Sequence, residues 1–368
     1  MIRANPHIAQ MAPYGLPKLG APSDRDLISL SQNESLRPPS PMALVAAAEA
    51  LASAALYPDP GWTALRHSLA EHHGLPADQI LCSAGSLDLI GGLARVHAGP
   101  GRAVLAPAHA YPFFRTAAQL VNARFDTAEE VDCTVDVDAL LAAVRDDTAL
   151  VFVANPANPT GTRLPRSELE RLRAGLPEPV LLVIDEAYGE FADHLDEPSW
   201  PLVEAGNIVV LRTFSKAYGL AGLRVGWGLF PPVIAAEMPK ALNPNALPMV
   251  AQAAALAALE DQAYMHETRR VTADLRDRAA QALAAAGFAV LPSLTNFLLI
   301  RFDSAEAAEH AEAALCADGI ILRRQQAAGL PEALRMTIGP EPALQAAIDR
   351  LKRWKAAHRT RAHQEETL

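Results

Sequence analysis

Cysteine is scarce in this 368-residue chain. Its three cysteines, Cys82, Cys133 and Cys316, are odd in number, far apart and in no metal-ligand spacing. A disulfide frame or a zinc site is therefore not expected, and the three read as structural thiols of a reducing compartment. Positive charge is also in deficit: 32 Lys and Arg stand against 42 Asp and Glu, a net charge of −10. Nucleic acid is then a poor partner, because a phosphate backbone demands clustered cations. The one basic run, Lys352-Arg353-Trp354-Lys355 with His358, Arg359 and Arg361 after it, reads as the solvated end of a terminal helix, where cations suit the helix dipole. Long apolar runs are missing too. The densest stretches are strand-sized, too short to span a bilayer. Met1 to Leu19 is broken by prolines and shows no apolar signal core. The expectation is a soluble, cytoplasmic protein that needs no metal, nucleic acid or membrane.

What is present is a globular composition, 50% hydrophobic and 20% charged. Its length suits about two domains at roughly 100–200 residues each, with ample core and no staples. Short apolar runs at Ala103–Leu105, Ala149–Val153, Val180–Ile184, Ile208–Leu211 and Val225–Leu229 read as strands covered on both faces. Amphipathic segments alternate with them: Ser86–His97, Pro112–Val121, Val137–Val144 and Pro165–Arg173. That alternation predicts an α/β fold, with a mostly parallel central sheet sandwiched by helices. The run from Met249 to Ala286 lacks Gly and Pro and reads as one long helix or two in tandem. Beyond it, strands at Ala289–Leu291, Phe297–Phe302, Ile320–Arg323 and Leu334–Ile338, with helices at Ser304–Ala317 and Pro342–Ala356, predict a smaller α+β domain. The Pro-rich opening reads as an arm on the surface. The expected division is an arm over 1–40 joining the small domain, a large domain over 41–245 and a small domain over 246–368.

Three strand ends gather reactive groups. Val180–Ile184 runs into Asp185-Glu186-Ala187-Tyr188, and Ile208–Leu211 into Arg212-Thr213-Phe214-Ser215-Lys216, with Arg224 eight residues on. Ala149–Val153 leads to the turn-rich Asn155-Pro156-Ala157-Asn158-Pro159-Thr160-Gly161. Open α/β sheets bind ligands at the carboxyl ends of their strands, so Asn, Asp, Tyr, Ser, Lys and Arg share one crevice.

In these pieces the chain resembles the fold-type I pyridoxal 5′-phosphate (PLP) aminotransferases, and among them the histidinol-phosphate aminotransferase group. The matching pieces run in order along nearly the whole chain: Ser31-Gln32-Asn33-Glu34, Tyr57-Pro58-Asp59-Pro60, Tyr111-Pro112, Asn155 to Gly161, Asp185 to Tyr188, Ser215 to Arg224, Asn296-Phe297, Gly319 to Arg323, and Arg335. PLP chemistry needs this set of groups: an amine for a Schiff base, a carboxylate to keep the pyridine nitrogen protonated, donors to the ring oxygen O3′ and a cradle for the phosphate. The resemblance implies that Lys216 carries PLP and moves the proton, with its pKa lowered by nearby cations. It implies Asp185 at the pyridine nitrogen, Asn158 and Tyr188 at O3′, and Tyr111 on the ring. Ser215, Thr213, Arg224 and the Gly85-Ser86 turn would hold the phosphate, with Tyr57 reaching it from a second subunit of a homodimer. Arg335 would grip a substrate carboxylate, while Tyr14, Asn33 and Arg323 would line the substrate side.

Plainer readings stand beside these. Asp185 alone would pass for a helix N-cap, Tyr111 for a core aromatic, Arg323 for a solvated strand end, and His72-His73 for an exposed helix end. His109 reads as incidental. The chain also departs from the group's pattern. Leu87 stands where an acidic residue is usual, Gln32-Asn33-Glu34-Ser35 lacks the usual proline, and Asn243-Pro244-Asn245-Ala246-Leu247-Pro248 is out of register. The implied activity is transamination between an amino acid donor, glutamate, and an aromatic or imidazole partner such as histidinol phosphate. A decarboxylase of the threonine-phosphate type or a PLP-dependent oxidase are the alternatives on the same scaffold.

Overall fold

The computed structural model describes residues 2–13, 15, 27–195 and 198–365, with side chains as far as 358. Seven strands form the main sheet. From edge to edge they are Ile80–Ser83, Gly226–Leu229, Ile208–Thr213, Leu181–Asp185, Thr148–Ala154, Ala103–Pro107 and Arg124–Ala128. All neighbours pair in parallel except Gly226–Leu229, which runs antiparallel to both of its own. The four strands from Ala103, Thr148, Leu181 and Ile208 are buried at every position. They therefore need apolar residues on both faces. Side chains such as Leu105, Phe152, Ile184 and Val210 are wholly buried, each contributing about 1.5–3 kcal/mol.

The helices that flank this sheet start where local chemistry starts them. Pro112 sits in the first turn of Pro112–Leu120, where its missing N–H costs nothing. Asp136 accepts from the amides of Asp138 and Ala139 to cap Val137–Ala143. The apolar run from Met249 breaks at Asp261, whose side chain accepts from the Tyr264 amide, and so becomes two helices, Met249–Glu260 and Gln262–Ala285.

A second core is built on an antiparallel sheet in the order Ala289–Val290, Phe297–Arg301, Leu330–Thr337 and Arg323–Gln325. Leu298, Ile300, Leu334, Met336, Leu315 and Leu351 meet inside it. The strand expected over 320–323 splits in two. Ile320–Ile321 leaves the sheet to pair in parallel with Ile28–Ser29, while Arg323–Gln325 stays. That pairing, with Thr337 N–H donating to Leu30 O at 2.9 Å, brings the chain's beginning onto the second core.

Two strands of the main sheet, Ile80–Ser83 and Arg124–Ala128, come without a prior sequence expectation. His73 also departs from its reading as an exposed end. It stacks on Trp227 at 5.1 Å and packs on Trp200, and burial pulls its pKa down to about 3. Among the described residues no helix is long and apolar enough to cross a membrane.

Candidate active site

Lys216 lies just beyond the strand Ile208–Thr213, and its Nζ donates to Asn33 O at 2.9 Å and to Gln32 O at 3.4 Å. The same Nζ stands 5.7 Å from the centre of the Tyr188 ring. Burial, then Arg335 and Arg224, lower the amine's pKa to about 7, against smaller raising effects of Glu34 and Asp185. A lysine in that range is a base and a nucleophile near neutrality.

On one side of the lysine is an anion cradle. The helix Ser86–His97 starts at Gly85, whose φ of 88° only glycine adopts freely. A Cβ at Gly85 would stand 2.6 Å from Arg224 Nη2, so the guanidinium lies directly on the turn. Gly226 is needed for the same reason, since a Cβ there would strike the backbone of Gly85 and Ser86. Arg224 Nη1 reaches Ser215 Oγ at 3.4 Å, and Thr213 Oγ1 donates to Ser215 Oγ at 3.0 Å. Backbone N–H groups at a helix start, two hydroxyls and a guanidinium are the makings of a phosphate site.

Asp185 ends its strand at 4% exposure, with Oδ1 accepting from the Ala187 amide at 3.1 Å. Burial raises its pKa to about 7, helped by Glu186 and opposed by the Ala187 bond and Lys216. A buried carboxylate without a cation in contact costs folding energy, and a cationic N–H donor would relieve it. The loop after Thr148–Ala154 is braced by Asn155, which exchanges side-chain hydrogen bonds with Leu164 at 2.8 and 3.1 Å. Its Asn158 Oδ1 accepts from Arg335 Nη1 at 2.6 Å, and Arg335 Nη2 reaches Ser31 O at 2.8 Å. Lys216, Asp185, Tyr188, Asn158, Arg335, Asn33, Ser86, Ser215, Thr213 and Arg224 therefore share one neighbourhood.

The remaining candidates are placed differently. Tyr111 heads the helix Pro112–Leu120 with its ring edge-on to Phe114 at 5.7 Å. Arg323 pairs in register with Arg335 on the adjacent strand and donates to Gly15 O. Tyr57 is 86% exposed. Tyr14 lies outside the described residues. His109, two residues before Tyr111, has its N–H on Glu130 Oε1 and its Nδ1 2.9 Å from Ala328 O.

Sequence reasoning missed the ion cluster behind the site. Arg212 is 1% exposed, bonds Glu186 at 2.7 Å and Asp193 at 2.8 Å, and lies 3.4 Å from Glu190. It is flanked by the reactive strand ends, since Glu186 follows Asp185 and Thr213 follows Arg212. A charged residue inside the all-buried run Ile208–Thr213 was the available signal. Burial raises the pKa of Glu190 to about 7, while the three carboxylates hold Arg212 well above its usual value. Arg212→Met should cost about 3–5 kcal/mol, because the buried acids lose their cation. The cost should grow with pH as they ionise. Urea unfolding at two pH values measures this; a loss below about 1 kcal/mol would show that the cluster is not a bracing element.

Comparison with known proteins identifies the family. The model of the family "Aminotransferase class I and II" matches residues 25–351. A histidinol-phosphate aminotransferase of Rhodospirillum centenum is 39% identical over 353 residues, covering 95% of this chain and 98% of its own. One from Paramagnetospirillum magneticum is 43% identical over 335 residues, with 90% and 92% covered. The crystal structure of histidinol-phosphate aminotransferase from Sinorhizobium meliloti in complex with pyridoxal-5′-phosphate superposes with a TM-score of 0.92 at 32% identity, covering 97% of this chain and 98% of that one. A family match over most of the length and relatives of this closeness decide the matter: the chain belongs to the class I and II aminotransferases.

Proposed function

We propose that this enzyme is PLP-dependent and moves the amino group of glutamate to imidazole-acetol phosphate, giving 2-oxoglutarate and histidinol phosphate, or runs the reverse exchange. The observation that carries the reading is one depressed-pKa amine, Lys216, set between two anion sites, Arg224 with the Gly85-Ser86 turn and Arg335. The residues present fit the cofactor: Asp185 is a buried carboxylate in want of a cationic N–H, and the cradle suits a dianionic phosphate.

Bound PLP supplies a ring that withdraws the electrons left when the substrate Cα loses its proton. Lys216 would hold the cofactor through Nζ and, once free, would take the proton from the substrate Cα and deliver it to the cofactor carbon that had borne the lysine. Asp185 would lie at the ring nitrogen and hold it protonated. Asn158 and Tyr188 would bond the ring oxygen O3′, and Tyr111 would lie against the ring. Ser86, Thr213, Ser215 and Arg224 would hold the phosphate. Arg335 would bind a substrate carboxylate as a bidentate fork, with Arg323 on the neighbouring strand and Tyr14 adding contacts to the substrate. The enzyme works in the cytoplasm, where three free thiols persist.

The test is a half-reaction screen without turnover. Glutamate and histidinol phosphate, each alone, should bleach the cofactor's visible band and yield a stoichiometric keto product. Failure of histidinol phosphate beside a rapid response to another amine would reassign the substrate.

We infer that the working unit is a homodimer with shared sites. Tyr57 is almost fully exposed, and Met42, Leu44, Val45, Leu51 and Leu56 form exposed apolar surface on the same stretch of chain. Such a surface marks an interaction site, and the tyrosine hydroxyl suits a neighbour's phosphate. Mixing Lys216→Ala with Tyr57→Phe chains should produce activity above the sum of the parents, because one site of each mixed dimer regains both groups. No gain, with exchange verified by differently tagged chains and with Tyr57→Phe impaired alone, would place Tyr57 outside the partner's site.

A further inference from the structure

Asn33 is 1% exposed, with φ at 55°, a left-handed conformation that asparagine tolerates. Its side chain stands between a strand of the small sheet and Tyr188, which lies just beyond the main-sheet strand Leu181–Asp185. The Asn33 backbone N–H donates to Thr337 Oγ1 at 2.9 Å. The single proton of that hydroxyl goes to Asn33 Oδ1 at 3.2 Å. With its carbonyl so engaged, the amide presents nitrogen on its other side, and Nδ2 donates to Tyr188 Oη at 2.8 Å. Turning the amide over would give Thr337 Oγ1 a second donor and take away the acceptor of its proton, and among the described residues that hydroxyl has no other hydrogen bond. The direction of the relay is thus fixed by the count of protons and lone pairs. A phenol oxygen that accepts from Asn33 points its own proton away from Asn33. Tyr188 also packs edge-on against Phe297 at 5.2 Å, which limits where its hydroxyl can swing.

We propose that Asn33 and Thr337 are positioning residues that commit the Tyr188 hydroxyl to donate its proton towards the cofactor's ring oxygen. This rests on the reading of Lys216 as the cofactor's lysine, with Tyr188 beside it. Donation to an oxygen bearing negative charge favours the unprotonated form of the cofactor–lysine linkage. The visible band should therefore change form at a lower pH than it would with Tyr188 turned towards Asn33.

The experiment is a pH titration of that band in the holoenzyme, in the native and Tyr188→Phe backgrounds. Tyr188→Phe alone should raise the midpoint by about one to two pH units. Thr337→Val removes the proton that holds the Asn33 carbonyl, so the amide can turn and take the tyrosine proton. It should raise the midpoint by about half a unit or more, whereas Thr337→Ser, which keeps the hydroxyl, should not. Asn33→Asp leaves only an acceptor beside Tyr188 and should raise the midpoint further in the native background than in Tyr188→Phe. Thr337→Val should do nothing in Tyr188→Phe. Shifts of equal size in both backgrounds would overturn the proposal, as would an unmoved midpoint in both Thr337→Val and Asn33→Asp. An unmoved midpoint in Tyr188→Phe would also overturn it, while labelling of Lys216 would still stand and keep the reading of the site.

Discussion

Lys216→Ala should lower turnover by on the order of 10⁴-fold, because it removes both the covalent hold on the cofactor and the base that moves the proton. Borohydride treatment of the unaltered protein should turn the lysine–cofactor linkage into a stable secondary amine on the peptide that contains Lys216. Recovery of the label on another lysine would end the assignment. The pH dependence follows from the same environment. Burial and the two arginines bring the amine's pKa to about 7, so its neutral fraction grows as pH rises through neutrality. The single-turnover rate of proton transfer should climb through that range and level off above it. A rate that climbs only near the ordinary lysine range would mean that Arg224 and Arg335 do not act on this amine.

Asp185→Asn should keep the fold and lose on the order of 10²–10³-fold in kcat, the usual cost of removing one preorganised electrostatic partner. The fold is expected to survive because the buried carboxyl favours its neutral form, and an amide of the same shape supplies that state at every pH. Its folded-state pKa of about 7 lies above the ordinary value of 3.8. The folded protein then binds more protons than the unfolded one between roughly pH 4 and 7, and cofactor-free stability falls as pH rises through that window. Asp185→Asn should flatten that fall in the cofactor-free protein. Near-normal turnover in a stable Asp185→Asn protein would refute the role at the ring nitrogen.

Much of this site was legible because its groups sit at the ends of runs that could only be covered strands. Leu181–Asp185 and Ile208–Thr213 are apolar enough on both faces to identify themselves, and Asp185 and Lys216 follow from their ends. The helix Ser86–His97 was read to the residue, because Gly85 stands before an unbroken amphipathic run. Arg124–Ala128 was not read as a strand. It is the sheet's edge, with Arg124 paired to Asp126 and Asp147, and an edge needs no apolar second face. The antiparallel course of Gly226–Leu229 was likewise hidden, since an apolar run carries no direction. Asn33 was placed on the substrate side, yet its amide lies behind Tyr188, held by a threonine 304 residues away. No local pattern encodes such a contact.

That separation bears on how the enzyme is made. Gln32 and Asn33, whose carbonyls accept from Lys216 Nζ, follow directly on Ile28–Ser29, which pairs with the distant Ile320–Ile321. A nascent chain folds as it emerges, its earlier unit first, and the main sheet is complete once residue 229 has left the ribosome. The segment holding Gln32 and Asn33 has then been waiting for its partners for most of synthesis. It is seated only after Ile321 and Thr337 appear, and closing so long a loop is among the slowest contacts the chain makes. The lysine is therefore present on a folded sheet well before anything covers it. Nascent chains stalled once residue 229 has emerged should carry Lys216 without its cover or Arg335, and so with a pKa nearer that of an ordinary lysine; the reactive amine waits for Arg335 and Thr337.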